Sequence, residues 1–485
     1  MTRSEAGNPT VDSKTPLCVD LDGTLIHSDI LLESLLRFVR RHPLEIWKLP
    51  FWLAKGRSHL KSRLASALPV PVSPPPVNRE LLDWLESEKA AGRRIVLVTA
   101  SHAAALGPVR DLFEFDEIIG STDEINLKGA KKAELLVERF GERGFDYAGD
   151  SPADEAVWRK ARKAIVVHRS AARIEHLAKK FDVDRSFLVP GAGWKDWGKA
   201  LRIHQWAKNL LIAVPFLAGH HFQSAWQLAG LFAAFLAMSL CASGTYLWND
   251  LLDIEFDRAH PTKRKRLAAS GKTSVQRILF ASFFLVAAGL AGGFALNAPF
   301  GLLLLGYIAA TLAYSMLVKR IAIADIFLLA FLYMSRIVGG ILISDAVVSF
   351  WLFAFTFLLF LSLAAAKRFT ELRSTTKKEN QPLHGRGYRN EDIPAVSQFG
   401  IATGVASCIL LGLYSHSDQV MALYHRPQWF WGVCVVALYW ITRLWFLAHR
   451  GELHDDPVVF ALKDRATWAL GLAGLACILL ASPVL

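Results

Sequence analysis

Residues 248–270 read WNDLLDIEFDRAHPTKRKRLAAS and follow a long apolar stretch that has almost no charge. The spacing i, i+3 and i+7 places Asp250, Asp253 and Asp257 on one face of a helix, where Asn249 adds an amide oxygen. Carboxylates this close repel one another unless a divalent cation joins them. The pattern therefore predicts a Mg²⁺ site that holds a diphosphate group.

A run of bases follows the acids at once, and it comprises Lys263, Arg264, Lys265 and Arg266. These side chains would bind the phosphate oxygens that the metal leaves free, and Arg258 is included in the same predicted substrate site. A solvated loop beside a membrane would explain the bases, but it would not explain three acids on one helical face.

The composition is that of a membrane protein with a soluble part. The 485 residues are 53% hydrophobic, yet they include 55 Lys and Arg against 43 Asp and Glu. Residues 1–200 have mixed charge, whereas much of 209–484 comes in apolar runs long enough to cross a bilayer. The five cysteines have no paired or CxxC spacing, so neither a disulfide framework nor a zinc site is indicated.

The apolar runs predict nine membrane-spanning helices, of which the first is short and interrupted by Pro215. They are 207–220, 225–248, 277–296, 299–317, 321–343, 348–366, 395–415, 428–447 and 466–484.

The loop charges predict the orientation of these helices. If the N-terminal domain is cytoplasmic, the loops on its side are the basic ones: 249–276, 318–320, 367–394 and 448–465. The opposite loops hold only Arg426 among Lys and Arg residues: 221–224, 297–298, 344–347 and 416–427. Residues 1–16 lack the apolar core of a signal peptide. We therefore expect a bacterial inner-membrane protein with a cytoplasmic N-terminal domain and the C-terminus outside.

The soluble part carries four motifs in a fixed order. PLCVDLDGTLIHSD at 16–29 predicts a strand followed by Asp20 and Asp22, and RRIVLVTAS at 93–101 predicts a strand that ends near Thr99. The block 128–158 then supplies three lysines and the sequence GDSPAD. Acids after strands lie in the crevice where parallel α/β sheets bind ligands.

These motifs resemble the haloacid dehalogenase superfamily of phosphatases. The resemblance implies that Asp20 is the nucleophile, which forms an aspartyl-phosphate, and that Asp22 is the general acid and base. Thr99 would hold the phosphoryl oxygens, and Lys132 would offset their charge, with Lys128 and Lys131 as alternatives for that role. The metal ligands that it implies for Mg²⁺ are Asp20, Asp22, Asp150 and Asp154.

The expected domains follow from these motifs. Residues 1–198 form an α/β domain of Rossmann-like topology with a helical cap inserted at about 27–90, and 171–198 are interpreted as a linker. The cap contains Trp47, Phe51 and Trp52. Their helical spacing indicates internal packing, or a basic interfacial helix that lies on the membrane, and both are compatible.

The second domain, 199–485, resembles the UbiA prenyltransferase superfamily, because NDxxDxxxD follows the second of its predicted spans. That family uses Mg²⁺ to hold a diphosphate donor in an all-α bundle, and its typical members carry a second Asp-rich motif after the sixth span. Here that place is taken by Lys367, Arg368 and Glu371. A cationic pair cannot chelate Mg²⁺, but it can bind a phosphate.

Further motifs resemble one branch, the polyprenyl-phosphate phosphoribosyltransferases, typified by decaprenyl-phosphate 5-phosphoribosyltransferase. They are RIHQWAKNLL at 202–211, AYSMLVKR at 313–320 and AAAKRFTELR at 364–373. The residues in them, including Lys208, Asn209, Lys319 and Arg320, are predicted to bind substrate. The resemblance implies phosphoribosyl pyrophosphate as the donor and a polyprenyl phosphate as the acceptor.

Arg336, within the fifth predicted span, is a further predicted substrate residue, because a charge at membrane depth usually faces an anion or a polar cavity. The alternative is a structural pair with a carboxylate such as Asp325.

The two resemblances together predict a bifunctional enzyme. The membrane domain would transfer 5-phosphoribose to the lipid, and the N-terminal domain would remove the 5-phosphate to give a precursor for arabinose or ribose donors of cell-envelope glycans. Membrane lipids are expected partners, nucleic acid is not, and a homo-oligomer is left open. Two alternatives are an aromatic prenyltransferase, as in quinone synthesis, and an N-terminal domain that is a regulatory or docking module without catalysis.

Overall fold

The computed structural model of the chain describes residues 15–122, 125–218, 225–344, 350–376, 387–416, 420–421, 424–453 and 456–482. Three predicted features lie wholly or partly outside this range: the outer loop 221–224, residues 345–347 of the outer loop 344–347, and residues 1–14 of the N-terminal segment 1–16. The chain divides into two compact units. The first runs to Leu201 and takes in Tyr246–Ser282, and the second comprises Arg202–Thr245 and Phe283–Leu485.

The first unit is built on a six-stranded parallel sheet in the order β3-β2-β1-β4-β5-β6. The strands are β1 (Leu17–Val19), β2 (Ile95–His102), β3 (Glu117–Ser121), β4 (Asp146–Gly149), β5 (Ala164–His168) and β6 (Val183–Leu188). Because β1 pairs with β2 on one side and β4 on the other, the strand order reverses at β1. Ligand crevices of open α/β sheets form at such a reversal, beyond the carboxyl ends of the strands. The predicted α/β fold is confirmed in this respect.

Within the described residues, nine helices accompany this sheet, and the first four of them lie in the segment 27–90 that is predicted to form a cap. They are α1 (Ile30–Arg41), α2 (Lys48–Ala54), α3 (Arg57–Ala67), α4 (Arg79–Ala90), α5 (Gly107–Arg110), α6 (Ala130–Phe140), α7 (Glu155–Trp158), α8 (Ala171–Ala178) and α9 (Trp194–Ala200). In the cap α1–α3, Phe38 is buried and packs against Trp52. Trp47 and Phe51 are 63% and 64% exposed, so only part of the aromatic stripe packs internally.

The segment 171–198 is not a linker, which corrects the prediction. It contains α8, β6 and the start of α9, and β6 pairs with β5 at the edge of the sheet. The Pro and Gly residues at 190 and 191 suggested an irregular segment. The segment is nevertheless regular, because β6 gains backbone hydrogen bonds by pairing with β5. Phe187 in β6 and Val189 just after it are also buried.

The remaining helices are mostly long and apolar. They are α10 (Val214–Ala218), α11 (Ala225–Leu252), α12 (Ile254–Ala259), α13 (Val275–Leu296), α14 (Ala298–Met316), α15 (Ala324–Ser344), α16 (Phe350–Thr376), α17 (Ile393–Tyr414), α18 (Phe430–Arg450), α19 (Pro457–Lys463) and α20 (Arg465–Ala481).

Within the described residues, seven helical segments are long and apolar enough to cross a membrane, by length and composition. An eighth is obtained if α19 and α20, which meet at 82°, form one bent span. The predicted first span, 207–220, differs: residues Ile203–Ala213 form a 3₁₀ helix that is followed by the five-residue α10. Pro215 and the buried polar side chains of Lys208 and Asn209 explain why this stretch is not one apolar α-helix. Nine spans are therefore not obtained in this part of the chain.

In the second unit, close helix packing depends on small residues. Ala364, Ala365 and Ala366 are fully buried on α16. A Cβ atom on Gly400 of α17 would lie 2.7 Å from the Cβ of Ala365 and 2.2 Å from the Trp445 ring. Such small-residue contacts are typical of helices packed within a membrane.

Candidate active sites

The first candidate site lies beyond the carboxyl ends of β1 and β4. Asp20 follows β1, and Asp150 and Asp154 follow β4; one carboxylate oxygen from each lies within 4.8 Å of the other two. Gly23 makes this approach possible, because its φ is +84° and a Cβ atom there would lie 2.2 Å from Asp150 Oδ2. Among the described residues this is the only group of three or more acids, His or Cys so closely gathered.

Lys132 is the lysine of this site. Its Nζ lies 2.7 Å from Asp20 Oδ1 and donates to the Tyr147 hydroxyl at 2.8 Å, which in turn donates to Asp154 Oδ1 at 2.8 Å. Lys128 and Lys131 are exposed, so the structure distinguishes between the three candidates. Burial alone would lower the pKa of Lys132, but the charges of Asp20 and Asp154 raise it above its ordinary value. Lys132 is therefore a cation at neutral pH.

Asp22 lies outside the acidic group, so its predicted role as a metal ligand is not supported. Its Oδ1 accepts a hydrogen bond from the Ile30 backbone N–H at 2.9 Å, and its Oδ2 accepts from Ser101 Oγ at 2.7 Å. Burial, together with the charge of Asp29, raises the pKa of Asp22 to about 7. A carboxyl group with this pKa can both donate and accept a proton near neutral pH, as the predicted acid–base role requires.

Two further residues complete this site. Thr99, within β2 and three residues before its last residue, is fully buried, and its Oγ1 accepts a hydrogen bond from the Ser101 N–H at 3.0 Å. Lys61, on α3 of the cap, donates to the Asn126 side chain at 2.8 Å and to the backbone oxygen of Ala100. The spacing of residues in the cap sequence does not predict a site role for Lys61, because its contacts, Ala100 and Asn126, are distant in the chain.

The donor set suits a hard divalent cation. Three carboxylates that converge within 4.8 Å supply the oxygen ligands that Mg²⁺ prefers. Burial raises the pKa of Asp20 to about 6 and that of Asp150 well above its ordinary value. A bound cation would favour the ionised forms of both groups.

The second candidate site is the acidic segment at the end of α11. Asp250 and Asp257 are buried, and Arg266 Nη1 lies 3.1 Å from Asp250 Oδ1 and 2.9 Å from Asp257 Oδ2. Arg266 therefore joins two of the three predicted acids, whereas Asp253 lies at the break after α11 and pairs with Arg40 at 3.1 Å. Burial is the main cause that raises the pKa of Asp257 to about 6. The oxygen-rich donor set fits Mg²⁺, but its three carboxylates are not gathered within 4.8 Å as those of the first site are.

The remaining predicted bases of this segment divide into two groups. Lys263, Arg264 and Lys265 are exposed on a short 3₁₀ helix and available to an anion. Arg258 is instead bound to Glu33 through both of its terminal nitrogens, at 2.8 and 2.5 Å. Its charge is already compensated, so it belongs to a contact with the cap and not to the predicted substrate site.

A cationic cluster lies in the second unit. Lys208 and Lys367 both pair with Asp456 Oδ2, at 2.7 and 3.0 Å, and the Tyr333 hydroxyl donates to the same carboxylate at 2.9 Å. Two ammonium groups on one carboxylate leave a net positive charge. The sequence predicted both lysines, but it gave no sign of Asp456, which lies 89 residues after Lys367 in the chain.

The neighbour of Lys367 has a different environment. Arg368 is fully buried and pairs with Asp325 at 2.5 Å and with Glu371, and it donates to the Tyr314 hydroxyl at 3.0 Å. Because two carboxylates compensate its charge, Arg368 is a structural partner in this structure and not the free phosphate ligand that we predicted. Glu371 is likewise engaged in this pair.

Arg336 is also buried, and its hydrogen-bond partners are neutral groups. Its Nε donates to Asn209 Oδ1 at 3.2 Å and its Nη2 to the Tyr307 hydroxyl at 3.0 Å, while Asn209 donates to Ser239 Oγ at 2.9 Å. Asp325, the alternative partner, pairs with Arg368. Lys319 and Arg320 lie on a short 3₁₀ helix after α14, and their predicted role stays a prediction.

Comparison with known proteins identifies the family to which the helical part of the chain is similar. The model of the UbiA prenyltransferase family matches residues 210–471. The chain is 38% identical to the uncharacterized protein y4nM of Sinorhizobium fredii over 465 residues. These aligned residues cover 95% of this chain and 90% of that protein. It is 34% identical to the nodulation protein NoeC of Azorhizobium caulinodans over 57% of this chain and 90% of that protein.

A third relative has a named activity. The decaprenyl-phosphate phosphoribosyltransferase of Mycolicibacterium smegmatis is 31% identical over 284 residues, which are 57% of this chain and 88% of that protein. The family model covers more than half of the chain, and the relative from Sinorhizobium fredii is similar along nearly all of it. With its seven or eight candidate spans, this chain is a multi-pass membrane protein that belongs to the UbiA prenyltransferase family.

Proposed function

We propose that the chain transfers 5-phosphoribose from phosphoribosyl pyrophosphate to a polyprenyl phosphate, and that its N-terminal domain then removes the 5-phosphate. The observation that carries the first step is the 31% identity to a decaprenyl-phosphate phosphoribosyltransferase. The net product would be a polyprenyl-phosphoryl ribose, a precursor for lipid-linked or cell-envelope glycans.

The transfer step breaks the bond between ribosyl C1 and the diphosphate, which leaves with the electron pair. A phosphate oxygen of the lipid then forms the new bond to C1, and the positive charge that develops on the sugar resembles that of other glycosyl transfers. Mg²⁺, bound with the diphosphate, would neutralise the leaving group's charge. Asp250, Asp253 and Asp257 would hold that pair, with the exposed bases 263–265 beside it.

The acceptor in this proposal is an anion, and the cluster around Asp456 supports it. Lys208 and Lys367 leave one positive charge uncompensated there, and Lys367 keeps 29% of its side chain exposed. The phosphate of the lipid is already ionised, so it needs a cation to bind it and no strong base to activate it. An aromatic acceptor would give these lysines no role.

The geometry around Asp20 supports hydrolysis of a phosphate ester. Asp20 would attack phosphorus, and the bond from phosphorus to the ribose O5 would break as Asp22 donates a proton to that oxygen. Water would then attack the aspartyl-phosphate, with Asp22 as the base. Lys132, held on Asp20, would offset the charge of the phosphoryl group.

One assay tests the proposal. The purified full-length chain in nanodiscs is given labelled phosphoribosyl pyrophosphate with a polyprenyl phosphate, and in parallel an isoprenyl diphosphate with 4-hydroxybenzoate. We expect label in the lipid fraction only in the first reaction. Product from the second reaction alone would contradict the proposal and indicate an aromatic prenyltransferase.

Lys61 provides a prediction about the phosphatase substrate. Lys61→Met keeps the aliphatic stem but removes the cation that lies next to the residue after Thr99. We expect KM for ribose 5-phosphate to rise about tenfold, the scale of one charge-assisted hydrogen bond, with a smaller change in kcat. Lys55→Met, on an exposed part of the cap, is the matched control. An unchanged KM in the Lys61 variant would show that the cap lysine does not contact substrate.

Arg336 gives a second prediction. Arg336→Met removes the donor that orients Asn209, and we expect transfer to fall at least about tenfold, because a buried acceptor loses its partner. Arg336→Lys should recover only part of this activity, since one ammonium cannot reach both Asn209 and Tyr307. Initial rates with both substrates are the measurement. Full activity of the methionine variant would show that Arg336 lies outside the working site.

A further inference from the structure

Three ion pairs join the cap of the N-terminal domain to the acidic segment of the second candidate site. All of them lie within the first compact unit. They are Glu33 with Arg258 at 2.5 Å, Arg37 with Glu255 at 3.2 Å, and Arg40 with Asp253 at 3.1 Å.

The three pairs form an ordered antiparallel ladder. Along α1 the positions rise from 33 to 40, while their partners fall from 258 to 253, so the two segments run in opposite directions. None of the six side chains is more than 19% exposed. Ion pairs buried to this degree add little to stability, but removing one partner leaves an uncompensated charge, so they favour one register over others.

Backbone contacts fix the same surface. The Val72 N–H donates to Glu255 Oε1 at 2.5 Å, and Ser73 Oγ donates to the Glu255 carbonyl at 2.8 Å. Further along, Arg169 donates to the Gly271 carbonyl at 2.6 Å. The acidic segment therefore contacts the N-terminal domain both at Glu255, within the segment, and at Gly271, which follows it.

Arg40 has a particular position in this ladder. Its Nη1 also donates to the carbonyl of Leu252, the last residue of α11, at 3.2 Å, and its guanidinium lies 3.9 Å from the centre of the Phe256 ring. Asp253 is at the break between α11 and α12, where the chain leaves helical geometry at ψ 4°. Arg40 thus pairs with the one of the three acids that lies at this break in the helix.

We infer that Arg40, a cap residue of the phosphatase domain, is a positioning residue of the transferase site that acts through Asp253. This inference rests on the proposed function, in which Asp253 shares in binding Mg²⁺ and diphosphate. Arg266 bridges Asp250 and Asp257 on the same face. With Arg40 fixing Asp253 between them, all three acids are oriented before the donor arrives, which lowers the cost of binding.

The test compares the full-length chain with Arg40→Met, which keeps the packing on Phe256 and loses the charge. Arg41→Met, at the adjacent exposed position, is the matched control. Calorimetric titration with Mg²⁺ and inorganic diphosphate measures binding, and Asp250→Asn identifies the part of the signal that belongs to this site. We expect binding to weaken about tenfold in Arg40→Met and the donor KM to rise by a similar factor, with kcat changing less. Arg40→Lys should recover part of the loss, and Arg41→Met should match the wild type.

Three results separate the possible failures. Wild-type binding and KM in Arg40→Met would overturn the inference while leaving the proposed function intact. An equal loss of ribose 5-phosphate hydrolysis in Arg40→Met would show general damage to the cap, which would also overturn it. A wild-type chain that transfers no phosphoribose would contradict the proposed function itself.

Discussion

In membranes that contain the Asp20→Asn variant, we expect polyprenyl-phosphoryl ribose 5-phosphate to accumulate, whereas the wild type should yield the dephosphorylated ribose. Asparagine keeps the size of the side chain but cannot form the aspartyl-phosphate, and it weakens the pair with Lys132. Hydrolysis of ribose 5-phosphate should fall on the order of a thousandfold or more, the usual scale for loss of a covalent nucleophile. Mass spectrometry of the lipid extract measures both products.

Transfer by this variant serves as the internal control. The acids of the second site are unchanged, so the total amount of ribosylated lipid should match that of the wild type. An identical lipid product from the two proteins, with or without the 5-phosphate, would show that the N-terminal domain acts on some other substrate.

The Asp250→Asn variant should have the opposite effect. Loss of one carboxylate removes a metal ligand and one of the two partners of Arg266, so that this guanidinium is drawn to Asp257. We expect transfer to fall about a hundredfold or more, as it does when a group that stabilises developing charge is removed. Hydrolysis of ribose 5-phosphate should stay near the wild-type rate, because Asp20, Asp150 and Asp154 form a separate site.

The matched comparison for this experiment is Arg264→Met, which changes an exposed base of the same segment and leaves the acids intact. It should weaken donor binding much less than Asp250→Asn does. A parallel loss of both activities in Asp250→Asn would contradict the existence of two independent centres.

Local patterns in the sequence predicted the parts of the structure that depend on neighbouring residues. The acids of the first site follow β1 and β4, and because neighbouring parallel strands end at the same edge of a sheet, the sequence predicts that Asp20 lies near Asp150, as it does. Eight of the nine predicted spans correspond to helices, because twenty apolar residues satisfy their backbone only as a helix in a membrane.

Contacts between distant residues could not be predicted in this way. Lys61 contacts Asn126 beside the first candidate site and Asp456 pairs with two lysines, yet the partners of each are far away in the chain. Arg258 and Arg368 had the charge and position expected of phosphate ligands, but carboxylates elsewhere in the fold bind them. A single sequence shows where a charge is and does not show whether another charge has already neutralised it.

Helix α1 connects the two centres directly. The N–H of its first residue, Ile30, donates to Asp22, and Arg40 in its last turn holds Asp253. The helix has 12 residues and is about 18 Å long. In the proposed function, a lipid-linked intermediate would therefore travel only about the length of this helix between the two reactions, so hydrolysis would take place close to where transfer releases its substrate.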